Sequence, residues 1–256
     1  MHTLGRHISV IVALIIRDLM GRFGRSHLGF VWTVLEPIIL TSGVMLLWSV
    51  IKEPTIHGLP VLTFILTGYM PLTLWRHLTN PMARILRNNA ALLYHAPVSS
   101  MHVLLARTVL EFLSVTSALV TVYFVVVSIG LVEPMQNPGL LLASWLLGGW
   151  YFGAMGLVIA VVTEFWEPAD KFVQPMQYLA LPLSGAFFLL DWLPEYAQRL
   201  LLINPSVNYF EMFRAGFIGP AVTTHYSALY LTVCAAVATV VGVAGILRVR
   251  DRMQYV

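Results

Sequence analysis

The chain of 256 residues is 58% apolar and 11% charged, with 15 Lys+Arg against 12 Asp+Glu, where a soluble domain carries roughly 25% charge. With a mean hydropathy of +0.80, this composition excludes an ordinary water-soluble domain and a disordered chain, because there is too little charge to clothe a surface of that size. The single cysteine, Cys234, excludes an internal disulfide and a cysteine metal cluster, and the length leaves no room for a nucleotide-hydrolysing domain beside a membrane bundle.

In chain order, residues 8–16 are an apolar run interrupted by Arg17 and Asp18, with no small-residue cleavage pattern after it, which argues against a signal peptide. Read as a helix over 1–27, the segment places Arg6, Ser9, Ala13, Arg17 and Gly21 on one stripe of a mostly apolar surface. That pattern predicts a helix lying in the membrane interface; a loosely attached arm is the other reading.

A spanning helix needs about 20 predominantly apolar residues, since the hydrocarbon core is roughly 30 Å thick and each residue rises about 1.5 Å. Six stretches qualify, near 30–51, 59–76, 103–131, 139–163, 172–190 and 226–247, the second and fifth being the shortest. An all-α membrane protein with six transmembrane helices follows, because backbone polar groups in lipid must be satisfied within the segment and no alternating barrel pattern is present. The expected division is 1–29 as a cytoplasmic interfacial helix, 30–248 as the six-span domain and 249–256 as a tail.

Twelve of the 15 basic residues fall in the N-terminal arm, the connection between spans two and three with its flanks, Lys171 and the C-terminal tail; only Lys52, Arg199 and Arg214 fall on the opposite side. This bias predicts both termini in the cytoplasm. The basic charge is thus a topology signal, and nucleic acid is not an expected partner.

Two segments are not spans. Residues 80–101 are too polar to cross and too apolar for a free loop; Asn80-Pro81 marks a helix start and Ala96-Pro97 a stop, with Ile85, Leu86, Leu92, Leu93 and Tyr94 as contact candidates. A helix docked on a partner and one lying on the membrane both fit. Residues 191–220 read as two short helices separated at Asn204-Pro205, a re-entrant or interfacial hairpin, an external lid or a packed loop.

Charge inside the spans is scarce. Glu36 before Pro37 lies shallow, and Arg107 can pair with Glu111 four residues on, so proton-driven transport has little support. Gly149 and Gly153, flanked by Gly148 and Gly156, allow close helix approach, within a protomer or between two.

Catalytic readings fail on residue type. Neither lysine, Lys52 nor Lys171, is followed by Ser or Thr, so no phosphate loop exists and ATP hydrolysis is not expected of this chain. The histidines form no His-Glu-x-x-His zinc motif. Ser184 in Pro-Leu-Ser-Gly and His225 invite comparison with intramembrane serine proteases, but Pro182 stands where their first glycine belongs and His225 sits at the mouth of its span.

The stretch RDLMGRFGRSHLGFVWTVLEPII resembles the membrane-entry signature of type-2 ABC exporter permeases that export polysaccharides, matching at Arg17, Asp18, Arg22, Phe23, Ser26, Leu28, Gly29, Trp32 and Pro37. LPEYAQRLLLINPSVNYFEMFRAGFIG is similar to the family's external re-entrant segment, at Pro194, Asn204, Pro205, Glu211 and Arg214. Residues 67–100 look closest to the capsule-polysaccharide branch. The resemblance implies a homodimeric permease in the bacterial inner membrane that binds two copies of a separate cytoplasmic ATPase. The partner would hold ATP and Mg, and this chain would bind no cofactor and no metal. The implied cargo is a lipid-linked capsular polysaccharide, with a periplasmic adaptor and an outer-membrane channel as further partners. The implied ATPase-coupling helix, near 84–96, carries Arg87, Asn89, Leu92, Leu93, Tyr94 and His95. A glycan canal between protomers would draw on aromatics such as Trp32, Trp48, Tyr69, Tyr178 and Phe187. Related permeases for O-antigen or teichoic-type glycans, drugs or lipids are the nearest alternative.

Overall fold

A computed structural model describes residues 2–23, 28–51, 55–95 and 98–253, with side chains described within 5–21, 35–51, 55–94 and 98–249. Helix α1, His2–Phe23, packs along α6, Ser100–Ser128. It buries Leu14 beside Val10, Ile11 and Ile15, while Ile8, Val12, Ile16 and Met20, spaced by four, stay exposed along another face. Helix α2, Leu28–Ile51, contains Pro37 and leads to a two-stranded hairpin, β1 Thr55–Ile56 and β2 Leu59–Pro60. His57 and Gly58 turn this hairpin at φ of 48° and 81°, the double positive φ that matches strand twist in a two-residue loop.

Helix α3, Val61–Thr79, is buried along most of its length. Its hydroxyls cause no polar deficit there, because Thr67, Thr73 and Thr79 donate back to the carbonyls of Thr63, Tyr69 and Trp75. Helix α6 starts with a reciprocal cap: Ser99 Oγ accepts from the His102 backbone N–H and the His102 ring accepts from Ser99 N. Helix α7, Pro138–Phe165, starts with Asn137 Oδ1 accepting from Leu140 N at 3.0 Å and Pro138 in the first turn. Helix α11, Ala228–Met253, runs past the expected end of the last span at 247. Among the described residues, Ser100–Ser128, Pro138–Phe165 and Ala228–Val249 are long and apolar enough to cross a membrane, and Leu35–Ile51 is a shorter apolar helix.

The glycines of α7 serve packing within the chain. A Cβ would lie 2.1 Å from the Tyr209 ring at Gly148, 2.4 Å from Phe112 at Gly149, 3.0 Å from Thr108 at Gly153 and 2.4 Å from the Leu78 carbonyl at Gly156. Four neighbours therefore approach the α7 backbone where a larger residue would hold them off.

Two expected elements differ. The stretch 172–190 is not one continuous helix: α8, Ala169–Ala180, has 12 residues and gives way to a 3₁₀ turn at Leu181–Leu183, irregular backbone through Gly185 (φ 92°), and a second 3₁₀ turn at Leu190–Trp192. Twelve helical residues cover about 18 Å, short of a roughly 30 Å core. Pro182 supplies no N–H and crowds the preceding turn, which breaks the ladder where the hydropathy alone stays high. The segment near 84–96 is likewise not one helix but a 3₁₀ turn at Asn80–Arg84, α4 Ile85–Asn88 and α5 Ala90–His95, divided at Asn89. Asn89 ends α4 by donating from Nδ2 to the Ile85 carbonyl at 2.8 Å.

Residues 191–220 do form two helices, α9 Glu195–Leu201 and α10 Pro205–Ile218, split at the Asn204 cap, whose Oδ1 accepts from Ser206 N at 3.0 Å. Helix α10 runs antiparallel to α7: the Tyr209 ring meets Phe152 and lies on Gly148, and Gly216 lies on Leu141. The α9–α10 turn thus reaches the middle of α7, and α10 climbs back toward the start of α7.

Candidate functional site

Two polar regions occupy opposite ends of the bundle. At one end, two sets of charges meet, the first of them on α1, α3 and α6. Asp18 Oδ1 accepts from Arg17 Nε at 3.1 Å and Nη2 at 2.7 Å, and the same Nη2 donates to Asn89 Oδ1 at 2.6 Å. Asp18 Oδ2 lies 3.9 Å from Arg107, whose guanidinium is 3.0 Å from Glu111. The 2%-exposed Glu111 also meets His77 Nδ1 at 2.9 Å, so a charge buried inside the bundle has a basic group on each side.

A second set of charges joins α4 to the α7–α8 turn. Arg84 Nε donates to Asp170 Oδ2 at 2.9 Å. Arg87 donates to the Thr163 carbonyl and lies 3.6 Å from Glu167, 3.9 Å from Asp170 and 4.0 Å from Glu164. Arg84 and Asp170, with Arg17, Asp18, Asn80, Asn88, Asn89, Arg107 and Gln174, frame an open polar cavity of about 900 Å³. Ile85 and Leu86 are buried, and Leu92 and Leu93 pack on the same apolar cluster as Leu14, Val103 and Leu157. Tyr94, in contrast, is 83% exposed.

The structure therefore divides the residues expected in the coupling segment. Leu92 and Leu93 turn inward, Arg87 and Asn89 bond to the chain itself, and Tyr94 projects outward. Of the membrane-entry residues, Arg17 and Asp18 are tied directly to that segment. The side chains of Arg22, Phe23, Trp32 and His95 and the whole of Ser26 lie outside the described residues; Gly29 is in α2.

At the other end, α10 clasps irregular backbone. Arg214 is 0% exposed and spends its donors on carbonyls: Nη1 on Gly185 at 2.7 Å and Phe188 at 2.5 Å, Nη2 on Ala186 at 2.7 Å. Its guanidinium carbon lies 5.0 Å from the Phe64 ring centroid. Glu211 accepts from the backbone N–H of Leu190 at 3.2 Å and of His225 at 3.0 Å. Asn208 accepts from Ser227 N and donates to the Leu202 carbonyl, and Asn204 Nδ2 reaches the Leu183 carbonyl. One helix thereby satisfies the Gly185, Ala186 and Phe188 carbonyls and the Leu190 N–H beyond the end of α8, while Arg214 Nε stays a buried donor without a partner. Gly68 completes the clasp, since a Cβ there would come within 2.4 Å of the Ala186 carbonyl. Ser184, raised as a nucleophile, gives its hydroxyl proton to the Leu181 carbonyl at 2.7 Å and accepts from Ala186 N, while His225 joins Glu211 through its backbone. That is a turn cap, with no proton relay from Ser184.

Among the aromatics, Trp48 and Tyr69 are partly buried against the core. Tyr178 and Phe187 are about half exposed, at 53% and 51%, with Arg76 5.9 Å from the Tyr178 ring centroid. The His57-Gly58 turn was missed by reasoning from hydropathy, although its Gly after a short β-branched pair was a usable signal; Trp192 tilts against His57 and Phe64 there.

Long apolar helices and a broken helix held by a buried arginine define a helical membrane protein. Residues 9–218 match the ABC-2 type transporter family, and the chain belongs to it. It is 35% identical to the capsule polysaccharide export inner-membrane protein CtrC of Neisseria meningitidis serogroup A, over 93% of this chain and 90% of that protein. It is 32% identical to the capsule polysaccharide export inner-membrane protein BexB of Haemophilus influenzae, over 88% and 84%. The polysialic acid transport protein KpsM of Escherichia coli is 25% identical over 86% and 87%.

Proposed function

We propose that the chain is the permease subunit of an ATP-driven exporter that moves capsular polysaccharide across the bacterial inner membrane. The observation that carries this reading is the 35% identity to a capsule polysaccharide export protein over 93% of the chain. Two copies form the conduit, and ATP and Mg are held by a separate ATPase, one copy per permease. The charge bias puts the α4 end and both termini in the cytoplasm and the α10 end outside. Tyr94 is the anchor offered to the ATPase, with Leu92 and Leu93 stiffening its base from within. Helix α1 rests at the lipid interface through Ile8, Val12, Ile16 and Met20, and α9–α10 forms the external re-entrant hairpin. Tyr178 and Phe187, on the exposed side of the α8 segment, and Trp32 are the aromatic faces offered to the glycan. A periplasmic adaptor and an outer-membrane channel complete the route.

The test is genetic and chemical. Deleting the gene should abolish polysaccharide at the cell surface while polymer accumulates inside, and restoring the chain should reverse both. Surface polysaccharide unchanged in the deletion strain, measured by sugar analysis of extracted polymer, would discard the reading.

A further inference from the structure

Helix α8 is carried by the segment that leads to the proposed ATPase contact. Three attachments hold it along its length. Asp170, in its first turn, meets Arg84 and Arg87; Gln177 Nε2 donates to Thr79 Oγ1 at 2.8 Å; and Tyr178 lies under Arg76. All of the facing residues come from the end of α3, the 3₁₀ turn at Asn80–Arg84 or α4. The opposite face of α8 presents Phe172, Met176 and Leu179 to the outside, each more than half exposed.

Of these attachments Asp170 alone is ionic on both sides, and its carboxylate is 10% exposed while Arg84 is 62% exposed. An ion pair with one partner in solvent adds little to folding, and helix α8 needs no third-party arginine to start, since an acidic residue in the first turn is already favoured by the helix dipole. The pair instead links two bodies: α4, packed through Ile85 and Leu86, and α8, whose irregular far end is gripped by Arg214. Arg87 reinforces the joint by also holding the end of α7 at Thr163 and Glu164.

We infer that Asp170 is a positioning residue through which movement of the 80–95 segment is passed to α8, so that ATP hydrolysis in the partner is converted into movement of the glycan-facing helix. This rests on the permease reading above. The Asp170 side chain touches neither ATP nor glycan; it sets where α8 stands when the segment is displaced.

The experiment measures, in cells and in the purified complex with its ATPase, polysaccharide exported and ATP hydrolysed by the parent chain, Asp170→Ala, Asp170→Glu, the single variants Arg84→Asp and Asp170→Arg, and the exchanged pair Arg84→Asp/Asp170→Arg. The expected result is at least a tenfold fall in polymer exported per ATP in Asp170→Ala, with the ATPase still bound and hydrolysing. Asp170→Glu should recover to within about threefold, and the exchanged pair should export more than either of its single variants. Equal export per ATP in Asp170→Ala and the parent overturns the inference, as does loss of ATPase binding or of folded protein in both Asp170→Ala and Asp170→Glu, which makes the role structural. Failure of the parent itself to bind an ATPase or export polymer is a different result and removes the permease reading, and the inference with it.

Discussion

Arginine does opposite work at the two ends of the bundle. Arg214 is sealed from solvent and bound to three carbonyls of one irregular strand of backbone, whereas Arg84 and Arg87 are partly open to water and meet carboxylates on a neighbouring element. A guanidinium on fixed carbonyls has one satisfying geometry, and its burial makes departure costly. A guanidinium among several carboxylates, with water at hand, can exchange partners at small cost. The α10 end therefore has the chemistry of a fixed frame, and the α4 end that of a joint whose ion pairs can be exchanged.

The sharpest way to break this contrast is to remove Arg214. Arg214→Met fills the volume but leaves three carbonyls unpaired in the interior, at about 1–3 kcal/mol for each buried acceptor left unsatisfied. Folded protein in detergent should fall severely, as read by size-exclusion yield and thermal unfolding. Arg214→Lys should not rescue it, because an ammonium cannot reach all three carbonyls in the plane the fork serves.

Next in size is the α7–α10 contact. Gly148→Ala puts a methyl into the Tyr209 ring, and overpacking of this kind costs about 1–3 kcal/mol; Gly43→Ala, in α2 with nothing within 4 Å of its added Cβ, is the matched control. A lowered unfolding temperature for Gly148→Ala alone supports α10 as part of the frame, and equal values would show that the ring yields.

The α4 end predicts the smallest change in stability. Tyr94→Ala removes a side chain that is 83% exposed, so its unfolding temperature should match the parent, while co-purified ATPase should drop, since truncating an aromatic anchor typically costs roughly 2 kcal/mol or more of binding. Leu93→Ala should lower stability first, because Leu93 packs on the chain's own cluster. Orientation is read separately: in a Cys234→Ser background, Glu133→Cys should react in intact cells with a membrane-impermeant thiol reagent and Ala91→Cys should not.

The two ends also differ in how far the sequence revealed them. Apolar length alone located α2, α3, α6, α7 and α11, because a helix satisfies its own backbone and leaves a plain hydropathy record. The same record misread 172–190, where Pro182 and Gly185 break the helix and the missing hydrogen bonds are repaired from 28 residues away by Arg214. No periodicity within a segment reports a partner that distant. Arg214 enters the charge count by its place in the chain, yet its side chain is spent inside the protein. The 84–96 segment was legible as too polar to cross and too apolar for a free loop, but which of Leu92, Leu93 and Tyr94 faced outward depended on the break at Asn89 and on Arg17, 72 residues earlier. The Arg17-Asp18 pair was legible through resemblance; its bond to Asn89 was not. Gly148, Gly149, Gly153 and Gly156 signalled close packing, and only the fold assigned it to Tyr209, Phe112, Thr108 and Leu78.

The most direct test of the division of labour is site-specific cross-linking of the assembled complex. In the Cys234→Ser background, Ala91→Cys and Glu195→Cys place single thiols at exposed positions on the two ends, leaving Tyr94 in place. A short thiol-to-amine cross-linker added to membranes containing the chain and its ATPase should yield a permease–ATPase adduct from position 91 and none from position 195. An adduct from 195, or none from 91 in a complex that still exports polymer, would contradict the account.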